Sequence, residues 1–237
     1  LPGDWFKETL RKTADTARWG KRRLKRNQGQ GIACGEWTNG SGPSNAFITI
    51  GEDGSVSLLT GQMDINGLHT ALAQIVAEEL WVRPEKVTVT QGDTDMVPYT
   101  ALSAGSMAAY SAGTAARRAG QEARKRVLEV ASEMLEAPVD RLVLTEEGAH
   151  VIGQPDRSAA LSVLAASARR TSGGPLSGQW VLGGLQTYPS YSVDIATVEV
   201  DPDTGQVRLI DLVVGQDVGR SLNPTLVEGQ MQGGATQ

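Results

Sequence analysis

The sequence predicts an α+β protein made of two-layer units, in which mixed β-sheets with β-hairpins are covered by helices. Short β-rich runs are joined by Asp-Gly or Asp-x-x-Gly turns, which are typical of hairpins. Ala- and Leu-rich segments of helical periodicity separate those runs. One order of elements, a hairpin followed by a glycine-containing loop and a helix, occurs twice, about 150 residues apart. Mixed sheets covered by helices follow from this order.

The individual elements follow from local patterns. The sequence first predicts a helix over 4–26, with Trp5, Leu10, Ala14 and Ala17 on its apolar side, and then a glycine-rich loop over 27–45 with a short strand at 31–34. A hairpin over 46–61 that turns at Asp53-Gly54, a helix over 68–80, a strand within 85–95 and a long helix over 105–136 follow. The rest of the chain is predicted to form a hairpin over 140–152 that turns at Glu147-Gly148, a helix over 158–170, and a final hairpin, loop and helix start over 194–230. We therefore expect a helical lead-in (1–28), a first α+β unit (29–150) and a second unit cut short at its C-terminal end (151–237).

The bulk composition excludes several functional classes. The 237 residues are enough for one large or two ordinary domains, and 40% of them are hydrophobic. No apolar run approaches the ~20 residues that span a bilayer, and no signal peptide is visible, so we expect a cytoplasmic protein. The net charge of −5 argues against general nucleic-acid binding. One cysteine and two distant histidines exclude a disulfide and an iron–sulfur cluster and argue against a metal site.

The stretch TGQMDINGLHTALAQIVAEEL (60–80) places a glycine-containing loop directly before an amphipathic helix. Backbone N–H groups at a helix start have no intrahelical partner, and the helix dipole favours anions there. The two glycines would let the backbone approach a ligand closely, and Gln62 and Asn66 add side-chain donors. The alternative is that Asp64 or Asn66 caps the helix and nothing binds.

A second loop, within YTALSAGSMAAYSAGTAARRAG (99–120), places Ser103, Gly105 and Ser106 before the long helix. A Ser/Gly loop beside a helix face of small residues suits a bulky phosphate ligand. The same pattern suits plain helix packing, with Ser106 as an N-cap. The small residues in question are Ala108, Ala109, Ala112 and Gly113.

A third stretch, GQDVGRSLNPTLVEGQMQGG (215–234), starts a helix at Asn223-Pro224 and carries Gln230. By itself it is weak support for a binding site.

Other motifs are better explained without a function. The basic run KRRLKR (21–26) is interpreted as a solvated helix end, because the chain is acidic and aromatic residues do not interleave the run. GQGIACG (29–35) lacks the spacing and the preceding strand of a dinucleotide-binding loop. DTD (93–95) has no calcium-loop continuation. His69 is expected to be structural or exposed, and Cys34 is expected to be a buried small residue.

Taken together, the three loops and the strands between them resemble the molybdenum-cofactor-binding (large) subunit of the xanthine dehydrogenase/aldehyde oxidase family. The resemblance covers about residues 29–237, and its most specific parts are AQIVAEEL…GDTD and DVGRSLNP…GQMQGG. It implies the fold of the family's molybdopterin-binding domain and a molybdopterin cofactor, in bacteria usually as the cytosine dinucleotide. It also implies oxidation of an aldehyde or N-heterocycle with oxygen from water, with electrons leaving through iron–sulfur and FAD partners.

The resemblance also implies the cofactor-binding residues. The first loop would hold the pterin and its phosphates, the second the dinucleotide end, and the third would lie near the same cofactor. The residues carried over are Gln62, Asp64, Asn66, Gly67, Ser103, Ala104, Gly105, Ser106, Met107, Asn223 and Gln230.

This sequence departs from the family pattern at several points. Many relatives have Gly-Gln-Gly in the first loop, where this chain has Asp-Ile-Asn-Gly, and many have arginine at the position of Met107. The family's catalytic glutamate lies in a Gly-x-Gly-Glu stretch that is absent here, so no catalytic residue is assigned. Because the first cofactor-binding half is also absent, we expect an inactive fragment that needs the remainder of the molybdenum subunit. The alternative is a degenerate, non-catalytic scaffold of the same fold.

Overall fold

The structure is a computed structural model that describes residues 3–171 and 173–237. The helices are α1 (Asp4–Thr16), α2 (Leu68–Leu80), α3 (Ala108–Met134), α4 (Leu161–Thr171) and α5 (Pro224–Thr236). The strands are β1 (Gln28–Thr38), β2 (Ser44–Ile50), β3 (Val56–Thr60), β4 (Val87–Gln91), β5 (Leu142–Thr145), β6 (Gly148–Val151), β7 (Gln154–Ala159), β8 (Ser177–Leu182), β9 (Pro189–Val200) and β10 (Val207–Gln216). The predicted α+β class is confirmed.

The strands form three sheets. The order is β1-β9-β10 in the first, β4-β3-β2-β8 in the second and β5-β6-β7 in the third. All pairs are antiparallel except β3 with β4, which makes the second sheet mixed. The predicted hairpins correspond to β2–β3, β5–β6 and β9–β10, and the repeated order of hairpin, loop and helix is present before both α2 and α5.

The chain divides into two compact units, and the division differs from the boundaries expected at residues 28/29 and 150/151. Unit 1 combines the chain up to residue 39 with 187–237, and unit 2 is 40–186. The physical reason is strand pairing. β1 lies near the start of the chain but pairs along its whole length with β9, so the first and last segments form one sheet.

Unit 2 has the larger core, in which α2 and α3 pack on the mixed sheet. The middle of α3 is lined by small buried residues, so the backbone of β8 approaches the helix closely. A Cβ at Gly178 would lie 2.1 Å from the Ala119 carbonyl oxygen and 2.4 Å from the Ala123 nitrogen. On the helix itself, Ala112 is 1% exposed and a Cβ at Gly113 would lie 3.1 Å from Ile75. These two small residues are therefore explained by helix packing.

Unit 1 is a three-stranded sheet with α1 on one face. Its small core contains Ala17, Val193 and Ile195, with Phe6 and Leu10 packed against it. Trp5, which the sequence places on the apolar side of the helix, is 58% exposed.

The first helix is shorter than the sequence predicts, because it ends at Thr16 rather than near residue 26. Arg18 adopts a left-handed conformation (φ 53°), and the chain then folds back toward the sheet. Arg22 donates to Asp211 at 2.5 Å and to Thr197 at 3.4 Å. The interpretation of the basic run as a helix end is therefore wrong, and one of its arginines ties the N-terminal segment to β9 and β10.

The glycine-rich segment that follows is also different from the expectation. In place of a loop with a short strand at 31–34, the structure has the 11-residue strand β1. Its partner β9 supplies a regular antiparallel ladder that overrides the weak β-propensity of glycine. Cys34 lies on this strand and is exposed, so the expectation of a buried cysteine is wrong.

We expect the basic run to bind no nucleic acid, because Arg22 is engaged by Asp211 and the chain carries a net charge of −5. Duplex DNA should show no binding tighter than about 1 µM in fluorescence anisotropy, at either low or moderate salt. Tight binding that weakens with salt and is lost on neutralising Lys21 and Arg23, but not on neutralising Arg117 in unit 2, would contradict this prediction.

None of the helices within residues 3–171 and 173–237 is both long enough and apolar enough to cross a membrane.

Candidate functional site

The first candidate loop connects β3 to α2. Asn66 (φ 59°) and Gly67 (φ 74°) are consecutive left-handed residues, and Gly67 is the N-cap of the helix. Gln62 is only 3% exposed, and its backbone N–H donates to the Thr60 hydroxyl at 3.3 Å. The amide of a glutamine both donates and accepts hydrogen bonds, so this side chain is suited to a polar, uncharged part of a ligand.

The start of α2 is already occupied by an anion from the chain. The Asp64 carboxylate accepts a hydrogen bond from the His69 backbone N–H at 3.0 Å. The His69 ring lies between the helix and the loop, with Nε2 3.0 Å from the Gln62 carbonyl oxygen. Because a carbonyl oxygen only accepts, Nε2 carries the proton in this contact. Asp64 thus accepts a hydrogen bond from the first turn of α2, as the capping alternative expected, and His69 has a structural contact.

The second candidate loop precedes α3 and differs from the first in that no described side chain caps the helix that follows it. Gly105 (φ 61°) and Ser106 (φ 58°) are both left-handed, and the N-cap, Met107, makes no side-chain cap hydrogen bond. The alternative that Ser106 caps the helix is therefore not supported. In the described part of the chain, no acceptor faces the N–H groups of the loop or of the first helical turn. These N–H groups belong to Ser103, Ala104, Gly105, Ser106, Ala108, Ala109 and Tyr110.

Met107 has a structural role in this loop. It is 9% exposed, and its side chain fills the space beside two glycines of the preceding segment. A Cβ at Gly40 would lie 3.2 Å from the Met107 sulfur, and one at Gly42 would lie 3.0 Å from its terminal methyl. The side chain that replaces the family's arginine therefore points into the protein and supplies no charge to a phosphate.

Both loops are held by the segment 40–45, which the sequence predicts to be part of a glycine-rich loop. The Gly40 N–H donates to the Gly105 carbonyl oxygen at 2.7 Å, and the Ala101 N–H donates to the Pro43 carbonyl oxygen at 2.9 Å. These contacts fix the second loop. A Cβ at Gly61 would lie 2.5 Å from the Thr100 hydroxyl, so the first loop packs closely against the segment that leads into the second loop.

Asn45 is the residue that joins the two loops. It is fully buried, and its amide nitrogen donates to the Pro98 carbonyl oxygen at 2.7 Å and to the Thr100 hydroxyl at 2.6 Å. Its amide oxygen accepts from the Gly61 N–H at 3.1 Å. Sequence reasoning missed this residue. The available signal was an Asn directly before a β-rich run and after Gly-Pro-Ser, which is weak.

The third stretch lies in unit 1. Asn223 is the N-cap of α5, its Oδ1 accepts from the Leu226 N–H at 3.2 Å, and Pro224 follows at the first helical position, as predicted. Gln230 is an exposed residue on the same helix. Among residues 3–171 and 173–237, no group of three or more His, Cys, Asp or Glu side chains could hold a metal ion.

The second loop and the start of α3 thus present backbone N–H groups without an acceptor among the described residues, an arrangement that suits an anion. The protein family described as the molybdopterin cofactor-binding domain matches residues 6–237. The chain belongs to this family. The resemblance inferred from the loops is thereby confirmed.

Curated relatives of this molybdopterin cofactor-binding domain are subunits of larger oxidoreductases. It is 34% identical over 197 residues to the 6-hydroxypseudooxynicotine dehydrogenase complex subunit gamma of Paenarthrobacter nicotinovorans, covering 80% of this chain and 25% of that protein. It is 28% identical over 244 residues to the xanthine dehydrogenase molybdenum-binding subunit of Escherichia coli O157:H7, covering 96% and 32%. The chain thus spans between a quarter and a third of the length of these relatives.

The fold of the molybdopterin cofactor-binding domain agrees with a solved structure. Reconstituted CO dehydrogenase from Oligotropha carboxidovorans superposes with a TM-score of 0.84 at 23% identity, over 97% of this chain and 32% of that one. At this identity the likeness concerns the fold alone.

Proposed function

We propose that the chain is the part of a molybdenum hydroxylase large subunit that binds molybdopterin in its cytosine dinucleotide form. The observation that carries the proposal is the second loop, where N–H groups without acceptors surround two left-handed residues at the start of a 27-residue helix. Such a helix start is a ready anion site. Membership in the family supports molybdopterin as the ligand, and the cytosine dinucleotide form is taken from what the resemblance implies for bacterial relatives.

The two loops support different tasks. At the start of α2, the Asp64 carboxylate would repel a phosphate, so the first loop is better suited to the neutral, hydrogen-bonding part of a cofactor. There Gln62 offers a side-chain amide, and Asn66 and Gly67 supply the two left-handed residues of the turn. At the start of α3, Gly105 and Ser106 would hold the dinucleotide phosphates through their N–H groups. Asn223 and Gln230 remain proposed contacts to the same cofactor.

When bound, the molybdenum cofactor supplies the centre that oxidises the substrate, and water supplies the new oxygen. The residues of this chain bind and orient the cofactor, and none of them is assigned a proton-transfer role. Of the two proposed substrate classes, an aldehyde and an N-heterocycle, the second is better supported. The names of the relatives refer to a nicotine derivative and to xanthine.

The proposed partners are the remainder of the molybdenum subunit and iron–sulfur and FAD subunits or domains, in the cytoplasm of a bacterium. Large apolar side chains beside the two loops are open to solvent, which suits a surface that further protein covers. They are Met63, Ile65, Met96, Tyr99 and Leu102, with exposed fractions between 41% and 74%.

A Gly105→Val change in the family-length enzyme should lower the bound molybdopterin at least about 10-fold. At a φ of 61°, a β-branched residue is strained, so the loop must rotate its N–H groups away from the ligand. The nearest atom to an added Cβ is the Gly40 Cα at 4.0 Å, so the surrounding fold has room for the side chain. Molybdenum and cytidine nucleotide content per subunit measure the effect.

The matched control for this change is Gly205→Val in the β9–β10 turn. Gly205 has a φ of 74° and nothing within 4 Å of an added Cβ, so the strain is comparable while no ligand loop is affected. Both variants should lose a similar amount of stability, about 1–2 kcal/mol. Wild-type cofactor content in the Gly105 variant would show that the loop does not bind the phosphates.

The 237-residue chain alone should show no hydroxylase activity, because it spans only a quarter to a third of its relatives. Loss of a general base alone typically costs about 10²- to 10⁴-fold. Turnover of an aldehyde or an N-heterocycle by the isolated chain, assayed with an artificial electron acceptor, would contradict this prediction.

Two observations favour the second candidate, a scaffold of the same fold that binds no cofactor. Met107 replaces a cation with a buried side chain, and Asp64 adds a negative charge to the first loop. A family-length enzyme that is folded but contains neither molybdenum nor pterin would support the scaffold.

A further inference from the structure

The sheet of unit 1 has two faces of different character. Alternate residues of β9 point to opposite sides, and Val193 and Ile195 face α1 and are buried. Their neighbours Asp194, Ala196 and Val198 therefore point to the other side, where all three are only partly buried. We call this second side the open face. Its members, by strand register, are Gly29, Gly31, Ala33, Gly35 and Trp37 of β1, Ser190, Ser192, Asp194, Ala196, Val198 and Val200 of β9, and Val207, Leu209, Leu212, Val214 and Gln216 of β10.

Most of the open face is apolar and accessible to solvent, and its polar residues other than Asp194 lie toward one end, where Gln216 donates to Ser190 at 3.2 Å. Trp37, Val207 and Leu209 are 57%, 61% and 56% exposed, and Val200 is 38% exposed. Helix α5 contacts β10, yet these side chains keep their exposure. On β1, the face is formed by glycine and alanine, and at Gly29 and Gly31 nothing lies within 4 Å of an added Cβ. A partner could thus pack directly on the backbone of this strand.

A single carboxylate interrupts the open face. Asp194 lies on the central strand, between Ala33 of β1 and Val214 of β10. It has no hydrogen-bond or ion-pair partner among residues 3–171 and 173–237, and burial raises the pKa of its carboxyl. A half-buried acid without a donor is unfavourable in the chain by itself, and it would be satisfied by a donor from a covering surface.

Two facts indicate which molecule covers the open face. The chain spans only 25% and 32% of the two relatives, whose remaining sequence is two to three times as long as the matched part. A second copy of the chain is less suitable, because a two-fold interface centred on this face would bring one Asp194 near the other. Like charges in a desolvated interface oppose association.

We propose that the open face is the surface on which the remainder of a family-length molybdenum-binding subunit packs, and that this remainder places a hydrogen-bond donor or a cationic side chain against Asp194. This inference rests on the proposed function, because the identity of the covering protein comes from it.

Thiol labelling tests the proposal. In a Cys34→Ser background, Leu209→Cys places one thiol on the open face and Asp203→Cys places one at the tip of the β9–β10 turn, outside the face. Each is treated with a maleimide in the isolated chain and in the family-length subunit. We expect Leu209→Cys to react at least about 10-fold more slowly in the subunit, and Asp203→Cys to react at similar rates in both.

Equal rates for Leu209→Cys in the two preparations would overturn the proposal. Protection already in the isolated chain, together with dimer elution in gel filtration, would also overturn it and identify a second copy as the occupant. Molybdenum and cytidine nucleotide content are measured on the same subunit. If the subunit contains cofactor but Leu209→Cys is not protected, only the proposed packing surface is contradicted. If Leu209→Cys is protected but the subunit contains no cofactor, only the proposed function is contradicted.

Asp194→Leu tests the donor separately. In the isolated chain the change removes a partly buried carboxylate that pairs with no described residue, and it should raise Tm. In the family-length subunit it deprives the partner's donor of its acceptor and should lower Tm. A rise in both preparations would show that nothing pairs with Asp194.

Discussion

Gly178→Ala should destabilise the protein more than any other single-methyl addition discussed for this chain. The new Cβ would lie 2.1 Å from the Ala119 carbonyl oxygen and 2.4 Å from the Ala123 nitrogen, both of which are helix backbone. Backbone in the middle of a 27-residue helix cannot turn aside as a side chain can, so β8 must move away from α3. Overpacking of this kind costs typically 1–3 kcal/mol, and a clash with backbone should exceed that range, at about 4 kcal/mol.

Urea unfolding of the isolated chain measures this effect as a shift of the midpoint. Gly183→Ala is the matched control, because Gly183 directly follows the same strand and has nothing within 4 Å of an added Cβ. The control should change stability by less than about 0.5 kcal/mol. If the two variants unfold at the same denaturant concentration, the close approach of β8 to α3 does not exist.

Asn45→Ala should have the second largest effect and should also lower cofactor content. It removes three hydrogen bonds, and it leaves the Gly61 N–H, the Pro98 carbonyl and the Thr100 hydroxyl without their partner. Each buried polar group left unsatisfied costs about 1–3 kcal/mol, although small shifts and entering water reduce the sum. We expect a loss of about 3 kcal/mol, which for a chain of this size lowers Tm by roughly 6–12 °C.

The neighbouring residue provides the control for Asn45. Ser44 is equally buried, but its hydroxyl has no hydrogen-bond partner. Ser44→Ala should therefore be neutral or stabilising, in contrast to Asn45→Ala. In the family-length enzyme, Asn45→Ala should release molybdopterin because both loops lose their common support, and Ser44→Ala should retain it. Equal cofactor retention in the two variants would show that Asn45 is only a packing residue.

Those parts of the fold that depend on local chemistry could be predicted from the sequence. The helix over 68–80 has the expected bounds, because it is set by an apolar periodicity and a preceding Asn-Gly. The turn at Asp53-Gly54 and the helix start at Asn223-Pro224 are likewise decided by residues that lie next to each other in the chain.

Features that depend on distant residues could not be predicted. The first helix ends early and the chain folds back to place Arg22 against Asp211, nearly 190 residues away. The glycine-rich segment becomes a strand because β9 pairs with it. At the candidate site, the loops were recognised by their glycines and their positions before helices. Asn45 was not recognised, because its three partners lie at residues 61, 98 and 100.

The pairing of β1 with β9 has a consequence for how the chain folds during synthesis. β1 ends at Thr38 and its partner begins at Pro189, so the ribosome must make all of unit 2 before the first sheet can form. Closing so long a loop is entropically expensive unless the intervening residues have already collapsed. Unit 2 is continuous in sequence and holds the larger core, so it can act as the early folding nucleus that brings Asn39 beside Tyr188, where two hydrogen bonds join the returning strand. Until then, the apolar residues of the nascent N-terminal segment are an aggregation risk, which a chaperone bound to the emerging chain would relieve.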